Sequence, residues 1–418
     1  MSKKSFYAKR PIGIDVNAAA RQRINKVFDH FDRTCVSFSG GKDSGILLNL
    51  VLEEARKRNK LPIDVLIVDL EAQYQHTIEF ITRMIDTDDV RVHWVCLPIS
   101  LRNSPSLYQP KWICWDPKDR DKWVREYPVH EGVINDPSHF PFFVHGMEFE
   151  EFVPKFNRWL ANDEPVACFV GIRADESINR LRTVKRDDKA MWRDYKWTTQ
   201  LDEGVYSIFP IYDWKTRDIW LANKSFGWDH NKIYDLMHQA GVPYGDMRLC
   251  QPYGDDQRKG LWLYRMLEPE TWNKIVSRVE GVNFGNRYAT ASGNIMGNIK
   301  VTLPDGHTWK SFTKYLLQSL PPPLEQHYRE RIWSHMMWWR HNKEKTGVRK
   351  IYDAGDPKLE SNRSIPSWRR VAKMILKNDY WAKSLGFAPA QSVLTRYRGY
   401  VDDFRLQRKE EQNDVMDG

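Results

Sequence analysis

Residues 37–47 read SFSGGKDSGIL: two adjacent glycines, a lysine, an aspartate and three serines between an apolar run and a helix-forming stretch. Groups of these types in this order suit an anion. Gly40 and Gly41 can take φ > 0 and bring backbone N–H groups close to a phosphate. The hydroxyls of Ser37, Ser39 and Ser44 can donate hydrogen bonds, and Lys42 supplies a point charge. Asp43 is placed either to cap the following helix or to hold a metal. A helix starting near Ser44 adds its positive N-terminal end. The spacing is not the G-x-x-x-x-G-K-S/T of the usual P-loop.

Other chemistry-bearing residues also fall just beyond apolar runs. PIDVLIVDLE (62–71) ends in Asp69 and Glu71, which could contact a ribose or magnesium, cap the next helix, or pair with an arginine. VACFVGIR (166–173) ends in Gly171 and Arg173, with Arg180 and Arg182 on the stretch that follows. Guanidinium groups there suit phosphate or sulfate through forked donors. The alternative is a solvated basic face, which Lys185 and Arg186 continue.

These runs must be held by a scaffold. Helical spacing appears over 16–30, 44–58 and 76–85, and short β-rich runs over 34–38, 62–71, 90–98 and 166–173. Strands apolar on both faces, alternating with helices, imply a doubly wound α/β fold with a mostly parallel sheet over about 31–255. Ligands of such folds bind beyond the carboxyl ends of the strands, where the polar clusters converge. Residues 1–30 read as an N-terminal helical extension and 256–418 as a mainly helical, tryptophan-rich C-terminal domain.

SFSGGKDS resembles the pyrophosphate-binding (PP) loop of the adenine-nucleotide α-hydrolase superfamily, and the chain most resembles its phosphoadenosine phosphosulfate (PAPS) reductase family. VDLEAQYQHT (68–77), GIRADESINRLRT (171–183) and FPIYDWKTRDIW (209–220) are similar to that family's further motifs. VPYGDMRLCQPYG (242–254), with the long tail, resembles the subgroup named after immunoglobulin-binding regulator A. The resemblance implies a Rossmann-like PP-loop fold binding an adenine nucleotide, ATP or PAPS, with magnesium. It implies that the loop residues 37–44 hold the nucleotide with Asp69, Glu71, Gly171, Arg173 and Arg180. Lys42, Asp43 and Arg173 would act in catalysis, and Asp213 and Trp214 would form a structural turn, Trp214 being core. The subgroup also implies a ParB-like protein partner.

The chain departs from the family at one point. The reductase motif Glu-Cys-Gly-Leu/Ile-His, which carries the nucleophile, is missing. The five cysteines (Cys35, Cys96, Cys114, Cys168, Cys250) are scattered without a C-x-x-C pair, so neither a disulfide framework, a zinc site nor an iron–sulfur cluster is expected. Cys250, beside Arg248, is the candidate nucleophile; its other reading is a buried small hydrophobe.

The 418 residues carry net charge +9, which permits an anionic partner such as nucleic acid without demanding one. The N-terminus MSKKSFYAKRPIG is basic but has no apolar run behind it. No stretch approaches the roughly 18 apolar residues of a membrane span, and a cytoplasmic setting is expected. In the second half, 262–279, 328–345 and 367–387 read as helices and 297–323 as a PDG hairpin followed by a helix and a proline break. The tail from Leu394 reads as charged and frayed. Basic residues interleaved with some of the 18 tryptophans suit a nucleic-acid surface, or the rings fill a core. Three functions follow: magnesium-dependent ATP cleavage between the α and β phosphates in nucleic-acid or sulfur modification; a sulfonucleotide enzyme using Cys250; or a nucleotide-sensing regulator.

Overall fold

The computed structural model describes residues 13–106, 108–185, 189–254, 261–281 and 302–387. The basic N-terminus, Arg186, residues 297–301 of the expected hairpin and the charged tail lie outside them. α1 (Val16–Phe28) leads into β1 (Arg33–Ser37), α2 (Lys42–Lys57), β2 (Ile63–Val68), α3 (Gln75–Ile85) and β3 (Val90–Val95). There follow the short strands β4 (Ser100–Arg102), β5 (Lys111–Ile113) and β6 (Val133–Ile134), then α4 (Phe149–Ala161) and β7 (Val166–Val170). α5 (Ile178–Lys185), β8 (Thr198–Asp202), β9 (Val205–Ile208), α6 (Thr216–Phe226) and α7 (Ile233–Gln239) complete the wound unit.

Seven of the strands form a sheet in the order β6-β3-β2-β1-β7-β9-β8, parallel except for the β8–β9 pair, while β4 and β5 pair separately. Chain order runs outward in one direction from β1 to β6 and in the other from β7, so it reverses between β1 and β7. Their register is unbroken from Arg33 opposite Val166 to Ser37 opposite Val170. The loops leaving both strands therefore emerge side by side, which is where open α/β sheets bind ligands. Helices cover both faces, as the continuous apolar runs require.

The expected N-terminal extension is part of this unit. Ala20, Ile24, Val27 and Phe28 of α1 are buried in the sheet's core. Arg23 grips Asp213 with two bonds of 2.9 and 2.7 Å, and the buried Trp214 indole donates to the Val16 carbonyl at 3.0 Å. The core also continues past residue 255, where the sequence suggested a boundary. The helix expected over 262–279 is two, α8 (Leu261–Leu267) and α9 (Pro269–Arg278), because Pro269 cannot extend α8 but fits the first turn of α9. Tyr264, Trp272 and Ile275 belong to the first core.

A second core begins at Trp309. It joins α10 (Trp309–Gln318), α11 (Pro322–His341) and α12 (Trp368–Leu376), with Leu324, Tyr328, Val371 and Ile375 at its centre. Ahead of it Asp305 and Gly306 make a turn, with Gly306 at φ +77, but residues 302–308 are loop rather than strand. Pro322 opens α11 instead of only ending a helix. Trp309, Trp339 and Trp381 are buried, so these tryptophans fill the fold.

Two histidines of this unit are buried neutral. His327 stacks on Tyr380 with ring centroids 3.8 Å apart and hydrogen-bonds the Tyr380 carbonyl at 2.7 Å. Burial pushes His327 and His335 each down to about 3. Because the folded pKa lies below the unfolded value of 6.5, the unfolded chain takes up protons first as pH falls. Their stabilising effect is complete above about pH 6.5 and is lost progressively below it, at up to about 1.4 kcal/mol per histidine per pH unit. Thermal unfolding of the full chain between about pH 7 and 5, a window above most carboxylates, is expected to show a falling midpoint that His327→Gln flattens; a midpoint indifferent to pH would contradict this.

Candidate functional site

β1 ends at Ser37, and the chain turns through Ser39, Gly40 and Gly41 into α2. Gly40 has φ +70, and a Cβ there would sit 2.7 Å from Thr77 Cγ2 and 2.8 Å from Ile81 Cγ1. Glycine is required because α3 packs directly on the turn. Gly41, expected to share that freedom, is instead in ordinary extended backbone at φ −83 as the N-cap of α2. Asn231, which the sequence reading missed, is fully buried beneath the turn. Its Nδ2 donates to the Gly40 carbonyl at 3.0 Å and to Thr77 Oγ1 at 2.9 Å. Tyr234, also missed, accepts from the Lys42 backbone N–H at 3.1 Å. Nothing in the spacing of WDHNKIYDLM marks either residue.

The serine hydroxyls serve the loop. Ser44 Oγ donates to the Gly41 carbonyl at 3.1 Å, accepts from the Ser39 N–H at 3.3 Å and meets Ser39 Oγ at 3.1 Å. Lys42 folds inward, donating to the Met247 carbonyl at 3.2 Å. Asp43 does not cap α2. Its carboxylate receives Arg173 Nε at 2.7 Å, and Arg173, only 2% exposed, also reaches Thr216 Oγ1 at 3.3 Å. Gly171 makes this meeting possible, since a Cβ there would lie 3.1 Å from the Asp43 carbonyl carbon and the Ser44 nitrogen.

An open cavity of about 710 Å3 adjoins the loop at the carboxyl ends of β1 and β2. Ser37, Ser39 and Leu70 line it, while Leu249, Cys250 and Gln251 form the opposite wall. Tyr74 and Tyr264, both lining residues, stack at 3.8 Å and 5°. The Tyr74 hydroxyl and Gln73 Oε1 have no hydrogen-bond partner among the described residues. Cys250 is the half-buried cysteine; the other four are buried. A hydrogen bond from Cys168 and burial raise the Cys35 thiol, and burial raises those of Cys96 and Cys114.

Of the expected nucleotide ligands, Ser37 and Ser39 line the cavity; Gly40, Gly41, Lys42, Asp43, Ser44, Gly171 and Arg173 do not, and neither do Asp69, Glu71 and Arg180. Asp69 and Glu71 are fully buried, and both take the arginine-pairing alternative. Arg125 holds Asp69, to which the Trp94 indole also donates at 2.9 Å. Arg278 grips Glu71 at 2.7 and 3.1 Å, while the backbone N–H groups of Trp115 and Val124 fill the remaining lone pairs at 2.8 and 3.1 Å. Arg180 is exposed and lies 3.6 Å from Glu176.

Magnesium does not fit the residues present as a resident ion. Asp43 is the loop's one carboxylate and is engaged by Arg173. Among the described residues no cluster of three or more His, Cys, Asp or Glu could hold a metal. No helix among them is long and apolar enough to cross a membrane.

The profile of the phosphoadenosine phosphosulfate reductase domain matches residues 33–240, and that of a domain of unknown function (DUF3440) matches 241–351. Uncharacterized protein YbdN of Escherichia coli K12 is 40% identical over 407 residues, covering 96% of this chain and 97% of that protein. Solved structures aligned to part of the chain include a PAPS reductase from Candida auris (10% identity, 53% of this chain and 88% of that one, TM-score 0.30). Another is an FMN adenylyltransferase from Candida glabrata (12% identity, 52% and 57%, TM-score 0.31). At those scores neither bears on function.

Two sets of variants separate the loop from its supports. Gly40→Ala meets both the positive φ and the Thr77 methyl, so urea denaturation is expected to show a loss of about 1–3 kcal/mol, whereas Gly41→Ala stays within about 0.5 kcal/mol. Equal effects would contradict the loop geometry. Glu71→Gln leaves Arg278 buried without its partner and is expected to cost about 3–5 kcal/mol. The folded protein should retain its nucleotide affinity; a stable variant that had lost binding would make Glu71 a ligand.

Proposed function

The chain belongs to the family of proteins that join a phosphoadenosine phosphosulfate reductase domain to a domain of unknown function, and on that footing we propose that it binds ATP on the SGGKDS loop and cleaves it between the α and β phosphates, with an acceptor drawn from nucleic-acid or sulfur chemistry. The observation that carries this reading is that the SGGKDS segment leaves β1 beside an open cavity of about 710 Å3, whose wall Ser37 and Ser39 help to form. The first-turn N–H groups of α2 have no carbonyl four residues back, and the helix end favours negative charge. Lys42 would supply a cation on turning from the Met247 carbonyl, which it holds here, towards the nucleotide. Together they stabilise charge developing on the departing pyrophosphate while an acceptor oxygen attacks the α phosphorus. The Tyr74 hydroxyl and Gln73 Oε1 leave hydrogen-bonding capacity for a nucleoside. Arg173 and Asp43 position the loop by locking it to the exit of β7. Magnesium enters as the counter-ion of the nucleotide substrate.

One observation favours a second reading. Cys250 lines the same cavity as Ser39. A bound sulfonucleotide would offer its sulfonate to that thiolate, forming an S-sulfonated cysteine and releasing the nucleotide. A second thiol, from a small dithiol reductant, would then free sulfite.

Calorimetric titration with ATP and magnesium, followed by chromatography with candidate acceptors present, tests the first reading. AMP and pyrophosphate are expected, with affinity at least about tenfold weaker, or about 1.4 kcal/mol, in Lys42→Ala. Intact ATP throughout would overturn cleavage; binding without products would leave a nucleotide sensor, the reading that carries a ParB-like partner. For the second reading, PAPS with a dithiol should release sulfite in the wild type and none in Cys250→Ser. Equal release by both would remove Cys250 from the chemistry.

A further inference from the structure

The C-terminal helical unit carries an open, solvent-facing depression that neither the nucleotide loop nor the first core touches. α12 buries Val371, Ala372, Met374 and Ile375 on one side. Arg369, Arg370, Lys373 and Lys377 recur at the spacing that shares a helix face, and all four line the depression. Arg363 joins them from the preceding turn.

The carboxylates of this depression are already committed. Glu360 accepts from Arg369 Nε at 2.9 Å and from the Gly355 N–H at 2.8 Å. Asp379 accepts the backbone N–H groups of Lys383 and Ser384 at 3.0 and 2.7 Å. Arg363, Lys373 and Lys377 have no carboxylate partner among the described residues. Arg370, 8% exposed, spends its guanidinium on the carbonyls of Ser384 and Ile365 rather than on an anion. Burial, with Arg363 nearby, pushes it down to about 10. Ser384 Oγ, also in the wall, is buried with no partner among the described residues. Three cations without a carboxylate partner, Arg363, Lys373 and Lys377, therefore share this surface with two spent carboxylates and a hydroxyl unpaired among the described residues. An open surface so charged favours an anionic partner.

We propose that this depression binds the phosphate backbone of a nucleic-acid strand. Lys373 and Lys377 lie one helical turn apart, about 6 Å along the axis, so each can engage a different phosphate of one strand. No aromatic ring lines the depression, so nothing stacks on a base and the contact is indifferent to sequence. The same cations would also accept a small phosphate compound, which the test must separate. The site supplies a nucleic-acid acceptor for the chemistry proposed above, but its binding does not depend on ATP cleavage.

The test is fluorescence anisotropy of a labelled oligothymidylate with the full chain across a salt series. Binding is expected to weaken with salt at a log–log slope of about −0.7 per phosphate contact. Lys373→Glu/Lys377→Glu is expected to lose at least about tenfold in affinity and to flatten that slope by about 1.4. Lys42→Ala should bind the strand as the wild type does, so failure of the nucleotide reading would leave this result intact. Arg363→Ala, at an exposed residue, is the second variant, with a slope change of about 0.7 expected, should the double variant not fold. No strand binding at low salt, or unchanged affinity and slope in the variants, would overturn the proposal. So would a depression that binds inorganic pyrophosphate, lost in the lysine variants, without binding the strand.

Discussion

The pair between the half-buried Asp43 and the buried Arg173 is the contact on which the site depends. It joins the loop leaving β1 to the loop leaving β7, the two central strands between which chain order reverses. Burying two charges costs several kcal/mol in desolvation. Its geometry answers that cost: the guanidinium meets Asp43 at 2.7 Å and spends another nitrogen on Thr216 at the start of α6. Three elements thus meet at one guanidinium. The glycine turn is held from its other side by Asn231, so the loop is fixed in shape before any ligand arrives. Preorganised donors of this kind need little rearrangement to meet an anion.

A second layer of buried pairs follows the same logic further out. Asp69 with Arg125 and Glu71 with Arg278 anchor the chain after β2 to segments lying 56 and 207 residues away. Glu71 itself has φ +64, a conformation uncommon outside glycine, and its full set of partners offsets that strain. Because Arg278 belongs to α9, the segment after residue 255 is needed to neutralise a carboxylate of the sheet domain.

That dependence explains what could be read from the sequence and what could not. The central strands β1, β2, β3 and β7 and helix α2 were legible because apolar runs and helix-start signals are local, whereas the short β4, β5 and β6 and the edge strand β8 carry no such run. The loop was legible because residues 37–44 are contiguous. The roles of Asp69 and Glu71 were ambiguous: a carboxylate beyond a strand looks alike whether it waits for magnesium or for an arginine far along the chain. Gly40 and Gly41 are adjacent and chemically identical, and only the packing of α3 makes one of them indispensable. Asn231 and Tyr234 act through side chains on a segment with no motif, so their part appears only once α3 and the glycine turn are brought beside them.

The second half of the chain reaches the cavity through Tyr264, which stacks on Tyr74. A ring from α8 thus supports a cavity at the end of β2, and Met247 supplies the carbonyl that holds Lys42. The contact continues outward. Gln251, in the cavity wall, donates to the Arg102 carbonyl at 3.2 Å. The Arg102 guanidinium lies 4.2 Å from the centre of the Tyr380 ring, which stacks on His327 of the helical unit. Van der Waals and cation–π contact of this kind positions one unit against the other without a shared core. The two apolar cores are therefore separate, but a continuous path of contacts runs from the cavity wall at Gln251 through Arg102 to Tyr380 and His327 of the helical unit.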